Sequence, residues 1–190
     1  IPAVTDQGFK SFVTASRLNG LYFGGNLWVE NQLITGKGNT GDPLERPGYD
    51  TSKPWVGEYG NADSMEKAQN VRHALAMAID REGINDAILG GLGSVNHITN
   101  IPIGSKHWDA KWEWPYDIAK AKELMASAGY ADGFEMTIWT GAGTHEEIVN
   151  AIGATWLSEL GVKVSIDLQA YGTHRPRLVN LDFPPVSYTH

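Results

Sequence analysis

The residues of this chain best suited to chemistry are its six histidines, His73, His97, His107, His145, His174 and His190. An imidazole can ligate a transition metal or carry a proton near neutral pH, so spacing decides what each one can do. His145-Glu146-Glu147-Ile148-Val149 begins like the two-histidine zinc helix, but Val149 stands where the second imidazole is required one turn on. The others are scattered, and no metal site is expected. Cysteine is absent, which excludes thiolate zinc sites, iron–sulfur clusters, disulfides and cysteine nucleophiles. Gly90-Gly91-Leu92-Gly93 follows a helical pattern, so it cannot aim a helix N-terminus at a pyrophosphate. Gly141-Ala142-Gly143 does connect a strand to a helix, but it lacks the third glycine, and Glu146 and Glu147 would repel a phosphate. There is no P-loop and no Gly-x-Ser-x-Gly elbow. The acidic side chains are expected on solvated faces. No catalytic residue and no cofactor is assigned.

Aromatic residues offer a different chemistry. Seven Trp and seven Tyr are many for 190 residues. Most should serve packing, but flat amphipathic rings also line ligand clefts at low entropic cost. Trp139 stands at the end of a strand-like run, followed by Thr140 and Gly141. Ligands on open α/β sheets sit beyond strand C-termini, which makes Trp139 a candidate for a cleft wall.

Several elements must position these groups. The length fits one domain, and the 42% hydrophobic content supports a packed core. Leu21 to Val29 reads as a strand interrupted by Gly24 and Gly25. Residues 36–63 are rich in Gly, Pro, Asn and Asp and read as an extended loop excursion. Asp63 or Ser64 can cap a helix whose apolar face is Met65, Ala68, Val71, Leu75, Ala78 and Ile79. A short helical pattern over Ile84 to Leu89 ends at Gly90. Asp117 caps a helix to Ala128 with Ala119, Leu124 and Ala128 on its inner side. Phe134 to Trp139 alternates as a strand, Thr144 can cap a helix from His145 to Leu160, and Val162 to Leu168 is a second strand. Ile148, Ile152, Trp156 and Leu160 form the stripe of that long helix. Strand, helix, strand over 134–168 is a βαβ unit, which predicts parallel pairing and an α/β fold.

The net charge of −7 and the absence of any pair of adjacent Lys or Arg residues argue against nucleic acid and against anionic membrane surfaces. No apolar stretch approaches the ~20 residues that span a bilayer, and the first residues have neither the basic nor the apolar region of a signal peptide. The expectation is a cytosolic protein or a mature or internal piece of an exported one.

Val71-Arg72-His73-Ala74-Leu75-Ala76-Met77-Ala78-Ile79-Asp80-Arg81 resembles a stretch of the peptide/nickel-type (family 5) solute-binding proteins of ABC transporters. Further matches follow in order: Ile84 to Gly93, Ile101-Pro102, Pro115-Tyr116-Asp117, Ala119 to Met125, Ala128-Gly129-Tyr130, Asp132-Gly133-Phe134 and Leu160 to Val164. The likeness is dense from about 68 to 170 and looser from 19 to 30. These motifs read as scaffold: Asp80 and Arg81 as a pair at a helix end, Gly129 as a cap, Asp132-Gly133 as a turn.

The resemblance implies one lobe of a two-lobed periplasmic binding protein, class II-like, with a central mixed sheet flanked by helices. Residues 1–190 would form a single domain, the second lobe of a longer protein whose first lobe is missing here. It implies a small solute, a peptide among the options, bound in a cleft between lobes, ABC permease subunits as partners, and a periplasmic or extracellular place, membrane-associated through the transporter. Carried over by position, ligand contacts fall on Asn26, on Trp139, Thr140 and His145, and on Tyr171, His174 and Arg175. The fork of Arg175 suits a ligand carboxylate, although a surface salt bridge is the more common place for an exposed Arg. Two other readings stay open: an extracytoplasmic hydrolase, which would need His145 or His174 beside a carboxylate in a pocket, and a receptor-docking module, which would need a large exposed apolar patch.

Overall fold

The computed structural model describes residues 20–23, 50–58, 60–98, 101 and 103–179. In chain order the helices are α1 (Ala62–Met77), α2 (Arg81–Leu89), α3 (Ile118–Ser127), α4 (Thr144–Leu160) and α5 (Tyr171–Val179). The strands are β1 (Glu135–Thr140) and β2 (Lys163–Leu168), and a 3₁₀ turn spans Ala110–Trp112. Of the strand expected over Leu21 to Val29, residues 21–23 are irregular and the remainder, Asn26 included, lies outside the described residues. Residues 36–49 of the expected loop excursion also lie outside them. Residues 50–58 fold against the body, with Trp55 and Val56 buried in the core.

β1 and β2 pair in parallel, Glu135 opposite Lys163 through to Thr140 opposite Leu168. The β1–α4–β2 unit read from the sequence is therefore present, and the fold is mixed α/β. Helix α4 lies against both strands. It can approach closely because Gly153 faces the sheet: a Cβ there would stand only 3.3 Å from Val164 Cβ. Its stripe, Ile148, Ile152, Trp156 and Leu160, is buried as expected, and Val149 joins it. Burial of Val149 shows why the zinc-helix spacing fails: that position belongs to the core.

Local signals account for the helix ends, with corrections. The cap of α1 is Asn61, whose Oδ1 accepts from Ser64 N–H (3.2 Å), not Asp63 or Ser64. Ser64 Oγ instead accepts from Glu58 N–H, tying the incoming segment to the first turn. Thr144 is the first residue of α4 and does not cap it: Gly143, at φ 83°, occupies the cap without a side-chain bond. Asp117 caps α3 through Lys120 N–H (2.9 Å), as expected. Its inner face is Ala121, Met125 and Ala128; Ala119 is exposed and Leu124 half-buried. Asp80 and Arg81 do not pair with each other. Asp80 caps α2 through Gly83 N–H, and Arg81 turns back to main-chain carbonyls.

Those carbonyls belong to the end of α1, where the last four C=O groups of a helix have no partner within it. Ala74 O accepts from Ala78 N–H. Leu75 O accepts from the indole Nε1–H of Trp156 in α4 (3.0 Å). Ala76 O accepts from Arg81 Nη1 (3.0 Å). Met77 O accepts from Asp117 N–H (3.0 Å). One helix end thus joins the βαβ unit, α2 and the start of α3.

Trp156 is fully buried. Replacing it by Phe leaves the Leu75 carbonyl buried and unpaired and removes part of the ring, which together cost about 2 kcal/mol. Trp156→Phe should lower the denaturation midpoint accordingly, whereas Leu157→Ala, at a side chain 54% exposed, should change stability by less than about 0.5 kcal/mol. Equal effects in urea unfolding would refute the assignment. A second prediction concerns Gly133 (φ 78°), where an added Cβ would overlap the Gly161 carbonyl. At Gly60 (φ 82°) the same atom meets nothing within 4 Å. Gly60→Ala should cost about 1–2 kcal/mol for the left-handed backbone alone. Gly133→Ala should cost clearly more, because two main chains must separate; a Gly133→Ala protein as stable as Gly60→Ala would contradict this packing.

Candidate functional site

β1 and β2 end side by side, so the segments that follow them share one edge. Gln169 N–H extends the pairing by donating to Thr140 O (3.0 Å). Gln169 Nε2 donates to Asp167 Oδ2 (2.8 Å), while its Oε1 is buried without a hydrogen-bond partner. Beyond Thr140 the chain turns through Gly141 to Gly143 into α4, and beyond Leu168 it turns into α5. Helices α4 and α5 both begin at this edge.

The sequence-derived candidates distribute over it unequally. Trp139 and Thr140 are buried, at 2% and 3% exposure, so they form the floor of the edge. His145, in the first turn of α4, is half-buried. Its Nδ1 lies near Gly141, 3.8 Å from where a Cβ would stand. Tyr171 is 51% exposed at the start of α5, and Arg175 is exposed one turn later. His174 is on the same helix, but its side chain, like the whole of Asn26, lies outside what is described. Pro176 sits inside α5, where it removes one helical hydrogen bond.

A separate cavity of about 510 Å³ lies further along α4, and its lining contains none of Trp139, Thr140, His145, Tyr171 and Arg175. Ile148 and Ile152, one and two turns beyond His145 on α4, form one wall. Helices α1 and α2, residues 93–98 and residues 20–23 supply the others. Sequence reasoning missed this site. Its lining comes from segments scattered between residues 20 and 152, and no local spacing connects them. The available hint was Arg72-His73, two polar side chains on a helix whose following residues, 74–79, are apolar.

The polar lining is held by main-chain contacts. The His73 imidazole stacks on the Trp114 indole at 3.8 Å between centroids. His97 Nδ1 accepts from Trp114 N–H (2.9 Å). Arg72 Nη1 donates to Trp55 O (2.6 Å). Arg81 Nη1 donates to Ala76 O, Ile79 O and Trp114 O at 3.0, 3.3 and 3.3 Å. Burial, and the positive charge of Arg72, lower the pKa of His73. Burial, then Arg81, lowers that of His97. Both rings are therefore neutral at pH 7, and the guanidinium groups carry the charge. Among the described residues no cluster of His, Asp and Glu could hold a metal ion. No described helix is long and apolar enough to cross a membrane.

Comparison with known proteins identifies the setting of this geometry. The profile of the bacterial extracellular solute-binding proteins, family 5 Middle, matches residues 48–187. Heme-binding protein A of Haemophilus influenzae is 31% identical over 113 residues, 56% of this chain and 20% of the relative. Glutathione-binding protein GsiB of Salmonella typhimurium is 34% identical over 98 residues, 50% of this chain and 19% of the relative. Di/tripeptide-binding protein 1 of Pseudomonas aeruginosa is 39% identical over 69 residues, 36% of this chain and 13% of the relative. The chain thus spans a fifth or less of the length of these relatives. Among solved structures, HbpA2 from Haemophilus parasuis matches with a TM-score of 0.51 and 27% identity, over 64% of this chain and 24% of that one. The periplasmic binding protein AgaA of A. tumefaciens R10, in complex with agropinic acid, matches with a TM-score of 0.59 and 24% identity, over 90% of this chain and 28% of that one. At that identity the likeness speaks for the fold, a lobe of a two-lobed binding protein. The chain belongs to the bacterial extracellular solute-binding proteins of family 5, and residues 48–187 are their middle region.

Proposed function

We propose that this chain is the second lobe of a solute-binding protein that holds a small solute, a peptide or a compound of similar size, in a cleft between two lobes. The closed form would deliver that solute to the permease subunits of an ABC importer at the outer face of the membrane. The observation that carries the reading is the common edge of β1 and β2, where Thr140 and Leu168 pair; the cavity walled by Ile148 and Ile152 lies further along α4. Ligands of open α/β sheets bind beyond strand C-termini. A cavity of this volume is in the range of small-molecule sites.

In this reading Trp139 and Thr140 are the rigid floor. His145, Tyr171 and Arg175, together with Asn26 and His174, are the groups that meet the solute. Closure would follow from a solute that binds the closed arrangement better than the open one. The hydrolase alternative has less support: His145 has no hydrogen bond to a carboxylate among the described residues.

Two measurements test the proposal. In the full-length protein containing this chain, mass spectrometry of what copurifies should identify a small solute, and calorimetry should give its affinity. His145→Ala and Arg175→Ala should each weaken that solute by about tenfold, roughly 1.4 kcal/mol, without shifting the denaturation midpoint. The isolated chain should bind at least about a hundredfold more weakly than the full-length protein, since it offers only one side of the cleft. Undiminished affinity in both variants would move the site elsewhere. Tight binding by the isolated chain would rule out a shared cleft.

A further inference from the structure

The cavity beside α1 and α2 sets Arg72, Arg81, Asn85, Asn96 and His97 on an apolar ground, a polar lining rich in hydrogen-bond donors. Asn85 Oδ1 accepts from Gly93 N–H (2.8 Å), which leaves its amide NH₂ to donate. Asn96 Oδ1 accepts from His97 N–H (3.2 Å), with the same result. His97 Nδ1 accepts from Trp114 N–H, so its neutral ring carries the proton on Nε2. Arg81 is a donor throughout. Its three bonds all leave from Nη1, and Nη2 and Nε have no protein acceptor among the described residues.

The charge distribution points the same way. The chain carries a net −7, yet among the described residues no Asp or Glu lines this cavity, whereas Arg72 and Arg81 do. Ile79, Ile84, Leu89, Ile148 and the Trp114 ring make its remaining walls apolar. A half-buried guanidinium with Nη2 and Nε unmatched by a protein acceptor among the described residues, set among apolar walls, favours an occupant that brings an anionic acceptor. A carboxylate is an acceptor-only, planar anion that suits a guanidinium fork.

We propose that this cavity selects solutes bearing a carboxylate on an apolar or aromatic body and rejects cationic ones. The inference rests on the solute-binding reading above, adds the chemical class of the solute, and seats its carboxylate in this cavity, apart from the strand-edge residues His145, Tyr171 and Arg175. The body would lie against the isoleucines and the Trp114 edge, and the carboxylate would meet Arg81 with Asn85 and His97.

The test uses the full-length protein and three probes of one shape: 4-phenylbutyrate, its primary amide, and 4-phenylbutylamine. Calorimetry should show the acid binding at least tenfold more tightly than the amide, with no detectable binding of the amine. Asn85→Asp keeps an acceptor for Gly93 N–H and adds a negative charge at nearly unchanged size. It should weaken the acid at least tenfold and leave the amide within about twofold, with an unchanged circular dichroism spectrum. An amide as tight as the acid, a bound amine, an acid indifferent to Asn85→Asp, or no binding of any probe would each overturn the inference. A thermal shift with an enzymatic casein digest separates this from the broader reading. Stabilisation by the digest without discrimination among the probes defeats carboxylate selection alone; silence toward both digest and probes counts against solute binding as well.

Discussion

The C-terminal turn of α1 is the constraint on which the rest of this structure depends. A helix ending inside a protein exposes four carbonyl oxygens to a medium that cannot hydrate them, and each one left unpaired costs free energy. Here the turn Ala74 to Met77 is buried for most of its length. Its carbonyls are paired by the next residue's backbone, by an indole 81 positions away, by a guanidinium at the start of α2, and by the residue that caps α3. Three of those four partners come from other elements. Satisfying one helix end therefore fixes where α2, α3 and the βαβ unit sit. The arrangement also answers a charge problem. Helix α1 has no basic residue in its last turn to meet its dipole. Arg81 supplies that charge from the first residue of α2, where a cation alone would be unfavourable, and Asp80 beside it caps α2 and offsets the repulsion.

Surface ion pairs do little by comparison. Lys122–Glu159 bridges α3 and α4 at 2.8 Å, and Lys163–Glu135 joins the starts of the two strands at 2.9 Å. Both are largely exposed, and pairs of this kind are worth about 0–1 kcal/mol each. The buried indole-to-carbonyl bond is of a different order, because its loss would strand two polar groups in an apolar interior. Rigidity at the junction of α1 and α4 matters for the site too. Ile148 and Ile152 line the cavity on the same face of α4 that carries Trp156. The cavity wall and the anchoring bond are thus parts of one stripe.

Much of this was legible in the sequence, for reasons that are local. Periodicity gave α4 and its stripe, alternation gave both strands, and Gly90 and Gly161 stood where a left-handed residue ends a helix. What escaped has a physical reason in each case. Asp63 and Ser64 are good caps by type, but Asn61 reaches the orphan N–H first because the chain is still extended at that residue, φ −106°. Ala119 and Leu124 fit an apolar face on paper. The helix nevertheless turns Ala121 and Met125 inward, since α1 packs closely along that side. Asp80 and Arg81 read as an ion pair because opposite charges were adjacent. Each found unpaired backbone groups instead, and those groups are visible only once the helix ends are placed. Of the candidate ligand residues, sequence placed Trp139, Thr140, His145, Tyr171 and Arg175 around one strand edge. It could not sort buried floor from exposed contact, which depends on what covers the sheet.

The cavity was invisible for a deeper reason, and that reason gives it its character. None of His97, Asn85 and Asn96 is a donor by type; each can also accept. They become donors because irregular backbone around residues 93–98 and at Trp114 has N–H groups that lack a secondary-structure partner. Those N–H groups must be paired, and the nearest side-chain acceptors are consumed in pairing them. What remains of each side chain is weighted toward donation: the amide NH₂ of both asparagines and Nε2–H of His97. Arg81 enters the same wall because the end of α1 needed a cation. The chemistry presented to a solute is thus shaped by the molecule's own hydrogen-bond satisfaction, and a donor-rich binding surface can arise from groups recruited first to complete the fold.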